Sequence, residues 1–195
     1  MSNLRSSQEL YFKNSEEWRH WLSINYAVSK GVYLIFYKVE MNVPSMTWEE
    51  AVKVALCYGW IDSTVKNLGS GKRRQYFCPR NPKSTWSKLN KSYINELIEN
   101  GLMHESGLEK IELAKSNGSW TALDDVENGI IPPDLQSAFD NNPVAFKNYQ
   151  NFSKTYKKSY LYWLKQAKRD ATRAKRIVNI IDLCAKNIKS RELLQ

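Results

Sequence analysis

Between Pro79 and Asn90 the chain runs Pro-Arg-Asn-Pro-Lys-Ser-Thr-Trp-Ser-Lys-Leu-Asn, and this segment carries the residues best suited to binding chemistry. Arg80 and Lys83 bring positive charge, and Ser84 and Ser87 bring hydroxyls. A helix that begins near Ser84 or Ser87 adds free backbone N–H groups, which favour an anion at the same point. Trp86 can stack on a planar ligand or a base, and Asn90 closes the segment. The plainer alternative makes Ser84 or Ser87 an N-cap, Trp86 a core residue, and Arg80 the partner of a body carboxylate such as Asp62.

A second segment, Cys57-Tyr-Gly-Trp60-Ile-Asp62-Ser63, places a glycine at an expected helix-to-strand corner, where the backbone can turn tightly or approach a ligand closely. Asp62 could orient Arg80 through a bidentate carboxylate–guanidinium pair beside Trp60. Cys57 as a nucleophile needs a base or a cationic surrounding, and neither His20 nor His104 sits in a nucleophile motif, so packing is the expected role of this thiol. The acidic stretch Asp124-Asp125-Val-Glu127 does not have the spacing of a calcium loop. Gly69-Ser-Gly71-Lys72 is too short for a phosphate-binding loop and reads as a hairpin turn. The three cysteines, Cys57, Cys78 and Cys184, lack short spacings and point to neither a disulfide framework nor a zinc site. These residues imply no catalytic constellation, no metal and no cofactor.

The third candidate is electrostatic. The formal charge is +9, and twelve Lys/Arg against two acids fall between Lys154 and Arg191, leaving 17 basic and 18 acidic residues in the rest. Lys168, Thr172, Arg173 and Arg176 recur at helical spacing, so one anion could bridge several of their heads. Such a cluster suits an anionic small molecule, an acidic partner surface or nucleic acid; a solvated lysine-rich face is the default for the same pattern.

Several ordered blocks resemble the YdeI/OmpD-associated (OmdA) family of bacterial proteins, also labelled bacteriocin-protection proteins. They are Glu50–Ser63, Phe77–Asn90, Gly101–Met103, Ala114–Trp120 and Ala167–Ile177, behind an opening with Trp18 and Trp21. The resemblance implies an association with protection against cationic antimicrobial peptides, and it carries no catalytic mechanism. Some members are described as periplasmic, whereas the first eight residues here lack the apolar stretch of an export signal, so a cytoplasmic location is expected.

The elements that must hold these residues can be read from caps and periodicity. With 195 residues, 42 % of them apolar, the chain can bury a substantial core, and its 8 Gly and 6 Pro exclude fibrous and low-complexity classes. Apolar runs such as Val32–Tyr37 are too short to span a bilayer, so a soluble globular protein without a transmembrane segment is expected. Asn14 with Glu17, and Thr47 with Glu50, mark helix starts. Val32–Val39, Trp60–Val65 and Arg74–Cys78 read as strands. Asn90–Asn100 and a segment opened by Ser106 and Glu109 read as helices, Asp124–Pro133 as a loop, and Asp134–Phe139 and Val144–Phe152 as short helices. From Tyr160 to Ala185 one wheel gathers Tyr160, Trp163, Ala167, Ala171, Ala174, Val178, Ile181 and Ala185 on a packed face, with Lys165, Arg169, Thr172 and Arg176 opposite.

The predicted class is α+β: a small antiparallel sheet flanked by helices, with a mostly helical C-terminal half. An α+β body over 1–123 carries the family motifs, and a helical region over 134–195 is expected to pack on it as one compact unit. The predicted function is a non-enzymatic stress or antimicrobial-resistance protein that binds an anionic ligand or partner through an Arg/Trp/Ser pocket. Nucleic-acid binding by the basic helix, or an enzyme acting on a small anionic substrate, are the alternatives. Composition and motifs leave the ligand and the oligomeric state open.

Overall fold

The computed structural model describes residues 8–190. Arg191, counted among the C-terminal cations, and nearly all of the N-terminal stretch examined for an export signal lie outside the described residues. The fold is α+β and divides into two compact units, the first ending at Thr121 and the second beginning at Ala122.

The first unit runs β1 (Glu9–Tyr11), α1 (Ser15–Asn25), β2 (Val32–Tyr37), α2 (Trp48–Cys57), β3 (Trp60–Gly69), β4 (Lys72–Pro79), α3 (Lys88–Glu99) and α4 (Glu105–Ser116). Its four-stranded sheet has the order β1-β2-β4-β3. The three strands expected from β-branched and aromatic runs pair antiparallel, Tyr33 opposite Tyr76 and Asp62 opposite Phe77. The sheet is mixed rather than purely antiparallel, because β1 adds a fourth strand parallel to β2. β3, at the opposite edge, breaks register twice, between Asp62 and Val65 and between Asn67 and Gly69. Alternation explains the burial of β2: Val32, Leu34 and Phe36 face the core while Tyr33, Ile35 and Tyr37 are half-covered.

Local chemistry starts the helices. The Asn14 side chain accepts from the Glu17 N–H at the head of α1, and Thr47 and Glu50 form a reciprocal capping box on α2. Ser87 caps α3 by accepting from the Asn90 N–H. At α4 the expected Ser106 cap is corrected: His104 is the N-cap and accepts from the Ser106 N–H through Nδ1. The core of this unit centres on buried Trp18, Trp60, Phe77 and Trp86, with Trp18 meeting Trp60 and Phe77 edge-on.

The second unit consists of α5 (Asp124–Glu127), α6 (Pro133–Asp140), α7 (Pro143–Asn151), α8 (Lys154–Lys165) and α9 (Asp170–Ala185). The acidic stretch read as a loop therefore begins with one helical turn. The single terminal helix is corrected to two helices, broken over Gln166–Arg169, and the break shifts the helical phase. Ala171, Ala174, Val178 and Ala185, expected inside, are exposed, whereas Ile180, Leu183 and Cys184 are buried. They pack with Leu135, Phe139, Tyr149, Tyr160 and Leu164 into a core separate from that of the first unit. Among the described residues no helix is long and apolar enough to cross a membrane.

Candidate functional site

Arg80 follows the end of β4, and its N–H donates to the Gly59 carbonyl at 2.9 Å, tying it to the α2–β3 corner. That corner needs glycine: Gly59 has φ +71°, and a Cβ there would meet Lys110 Cγ at 2.7 Å and the Ser106 carbonyl oxygen at 2.9 Å. The chain then turns through Asn81–Ser84. Asn81 accepts from the Lys83 N–H through Oδ1 and from the Ser84 hydroxyl through its carbonyl. From the end of α4, Asn117 and Ser119 donate to the Pro82 carbonyl and hold the turn in place.

This turn folds the guanidinium back onto the indole six residues along. The Arg80 Cζ lies 3.5 Å from the centre of the Trp86 ring, and Nη2 donates to the Thr85 carbonyl at 2.5 Å. Arg80 is only 4 % exposed, yet its Nε and Nη1 have no hydrogen-bond partner among the described residues. Burial pulls its pKa down from the ordinary guanidinium value to about 10, partly offset by the charge of Asp62, so the group stays cationic at neutral pH. A buried charge without an ion-pair partner carries a desolvation penalty of several kcal/mol. The indole face, at up to about 2 kcal/mol, and one carbonyl return part of it. The uncompensated remainder is the notable electrostatic feature of this unit.

The expected bidentate Asp62–Arg80 pair does not form. Asp62 Oδ2 instead accepts from Trp48 Nε1 at 2.9 Å and from Gln75 Nε2, linking α2 to β4. Trp60 is buried and donates from Nε1 to the Tyr26 carbonyl. Trp86 is buried too, under the Arg80 guanidinium and against Trp120 at 5.0 Å, so it offers no open stacking face. Ser84 and Ser87 are used in the turn and the α3 cap, and Asn90 answers Ser87 with its N–H; Lys83 points into solvent. The structure thus brings Arg80 onto Trp86 and Asn90 onto Ser87, while the hydroxyls of Ser84 and Ser87 serve the backbone. A recess of about 250 Å3 at the corner is lined by Tyr26, Tyr58, Trp60, Pro79, Ser106 and Lys110 among others, with Arg80 outside its lining.

In the second unit, Lys168 lies exposed in the α8–α9 connection rather than on a helix. Arg173 makes a bidentate contact with Asp134 of α6 through Nε and Nη2, and Arg176 donates to the Trp163 carbonyl with its Cζ 5.1 Å from that ring. Thr172, Arg173 and Arg176 are half-buried, on the inward side of α9 rather than the opposite one. Two of the three cations proposed to share an anion are thereby engaged within the unit.

None of the cysteines is activated. Cys57 is buried, and burial raises its pKa against the opposing effect of Arg19, whose Nη2 lies 3.2 Å from Sγ. Burial pushes Cys184 up to about 12 and also raises Cys78. Among the described residues no group of three or more His, Cys, Asp or Glu is placed to hold a metal ion. Sequence reasoning missed Trp48, Gln75 and Thr85. The alternation of β4 could have brought in Gln75, which shares the inward face with Phe77.

Comparison with known families divides the chain much as its structure does. Residues 10–110 match the model described as Domain of unknown function (DUF8412), just over half of the chain. Residues 128–187 match the model described as Bacteriocin-protection, YdeI or OmpD-Associated. Of the blocks that carried the resemblance, Ala167–Ile177 lies in the second match, Glu50–Ser63, Phe77–Asn90 and Gly101–Met103 in the first, and Ala114–Trp120 in neither. No curated protein and no solved structure matches the chain.

Proposed function

Because the chain belongs to the DUF8412 family and matches the bacteriocin-protection, YdeI or OmpD-associated model over residues 128–187, we propose that it is a non-enzymatic, bacteriocin-protection-associated protein whose first unit binds an anionic group at Arg80. One observation supports this reading above the others: a buried guanidinium with two unused N–H donor atoms and no carboxylate bonded to it. A phosphate or carboxylate oxygen accepts from such donors strongly and supplies the missing countercharge. The site would work by rearrangement rather than as a preformed cup, with the Asn81–Ser84 turn giving way so that the anion reaches Nε or Nη1.

Thermal unfolding in phosphate, nucleotides, acidic sugars and simple carboxylates, against chloride at equal ionic strength, tests the proposal. A specific anion at a hundred times its Kd adds about 2.7 kcal/mol, several degrees in Tm, and the increment grows with the logarithm of concentration. Arg80→Met should abolish that increment. A wild-type Tm indifferent to every anion, or an identical response in Arg80→Met, overturns the reading.

A further inference from the structure

At the far end of the sheet the β3–β4 hairpin and the 3-10 turn Val39–Met41 close on each other. The Lys38 N–H donates to the Gly71 carbonyl at 2.8 Å, and a Cβ on Gly71 would meet Met41 Cγ and Sδ at 2.5 Å. Between them lies a groove of about 550 Å3, bordered by Phe36, Tyr37, Lys38, Val65, Lys72 and Arg73 among others, with Glu40 as its one acid. Lys38, Lys72 and Arg73 line it together, and none of them has an ion-pair partner among the described residues. Large aliphatic groups stand out beside them: Val39 is 92 % exposed, Val65 55 %, and Leu68 and Met41 41 % each.

The chemistry of this tip discriminates between polyanions. Nucleic acid wants free aromatic faces for its bases. The rings here are already occupied, Tyr37 by Lys72 at 5.4 Å and by Tyr11 edge-on, Phe36 by Arg73 at 5.1 Å. What the tip presents outward is exposed cationic heads and aliphatic side chains side by side, the pairing that an anionic bilayer surface rewards at its headgroups and its acyl boundary. We propose that the hairpin tip and the Val39–Met41 turn dock on an anionic lipid bilayer, with Val39 and Leu68 entering the interface and Lys38, Lys72 and Arg73 facing the headgroups. This docking is independent of the anion site at Arg80.

Co-sedimentation of the full chain with phosphatidylcholine vesicles, with and without phosphatidylglycerol, tests it. Binding is expected only with the anionic lipid, and it should vanish at about 1 M salt, where the screening length is ~3 Å. Lys38→Gln and Lys72→Gln should each weaken it about fivefold, and Val39→Asp about tenfold or more. Because Val39 is almost fully exposed, its variant should melt with wild type, which separates lost docking from lost folding. Failure to bind anionic vesicles, equal binding to neutral ones, or tight binding of a single-stranded oligonucleotide that Val39→Asp leaves unchanged overturns the proposal.

Discussion

A guanidinium carries five N–H groups, and inside a protein each needs an acceptor or water. Arg80 meets this with one carbonyl and an indole face, so its contribution to folding and its contribution to binding pull in opposite directions. Arg80→Met should therefore unfold in urea within about 1 kcal/mol of wild type or above it, since the desolvation penalty leaves with the charge. Trp86→Ala should cost about 3–5 kcal/mol, because it opens a cavity and uncovers the same charge. The depressed pKa fixes the sign of the pH dependence. From about pH 10 up to the ordinary guanidinium pKa the unfolded chain holds more protons on this residue than the folded one, so its penalty is fully present below pH 10 and fades above it. The gap between wild type and Arg80→Met should narrow as pH rises through 10. At this scale the residue types are legible in the sequence and their partners are not. Arg80 and Trp86 were visible as types, but that one would cover the other depends on the Asn81–Ser84 turn, and that Asp62 would bond Trp48 and Gln75 depends on cross-strand placement.

Elements were legible where a local signal marks them. Asn14 and the Thr47–Glu50 box announce α1 and α2 because the cap chemistry lies within four residues of chain. The three-residue β1 has no such signal and exists only because β2 offers it an edge. No glycine or proline marks the break between α8 and α9, so a continuous wheel put Ala171 and Val178 inside and hid the true stripe through Ile180 and Leu183. That corrected phase turns Arg173 toward Asp134, whose carboxyl pKa the guanidinium holds below its ordinary value. The depressed acid contributes stability above its unfolded pKa and loses it as pH falls through the folded one. Arg173→Met should cost under about 1 kcal/mol at pH 7, since the pair is partly solvated, and the two proteins should converge in acid or in high salt. Urea melts at pH 7 and pH 3 check this.

Taken whole, the chain holds two separate apolar cores, one gathered around Trp18, Trp60 and Phe77, the other around Phe139, Tyr160 and Ile180. Scanning calorimetry should accordingly resolve two components, and a single transition with equal calorimetric and van't Hoff enthalpies would contradict it. The α+β class was readable from the order of apolar runs, while the Asp124–Pro133 stretch, which looks like a linker, belongs to the second unit because Asp124–Glu127 forms a helical turn with Val126 buried in that unit's core. Thiol chemistry follows the same partition of interiors: native protein should react with an alkylating reagent first at Cys78, with Cys57 and Cys184 released only on unfolding. The outer strand of the sheet carries a last consequence. A straight β3 would present a row of unpaired amides and carbonyls to any sister chain, the template from which fibres grow. Its two slips of register and the lysine between them spoil that template, so a deletion that restores a regular ladder should turn a dispersed protein into one that polymerises edge to edge.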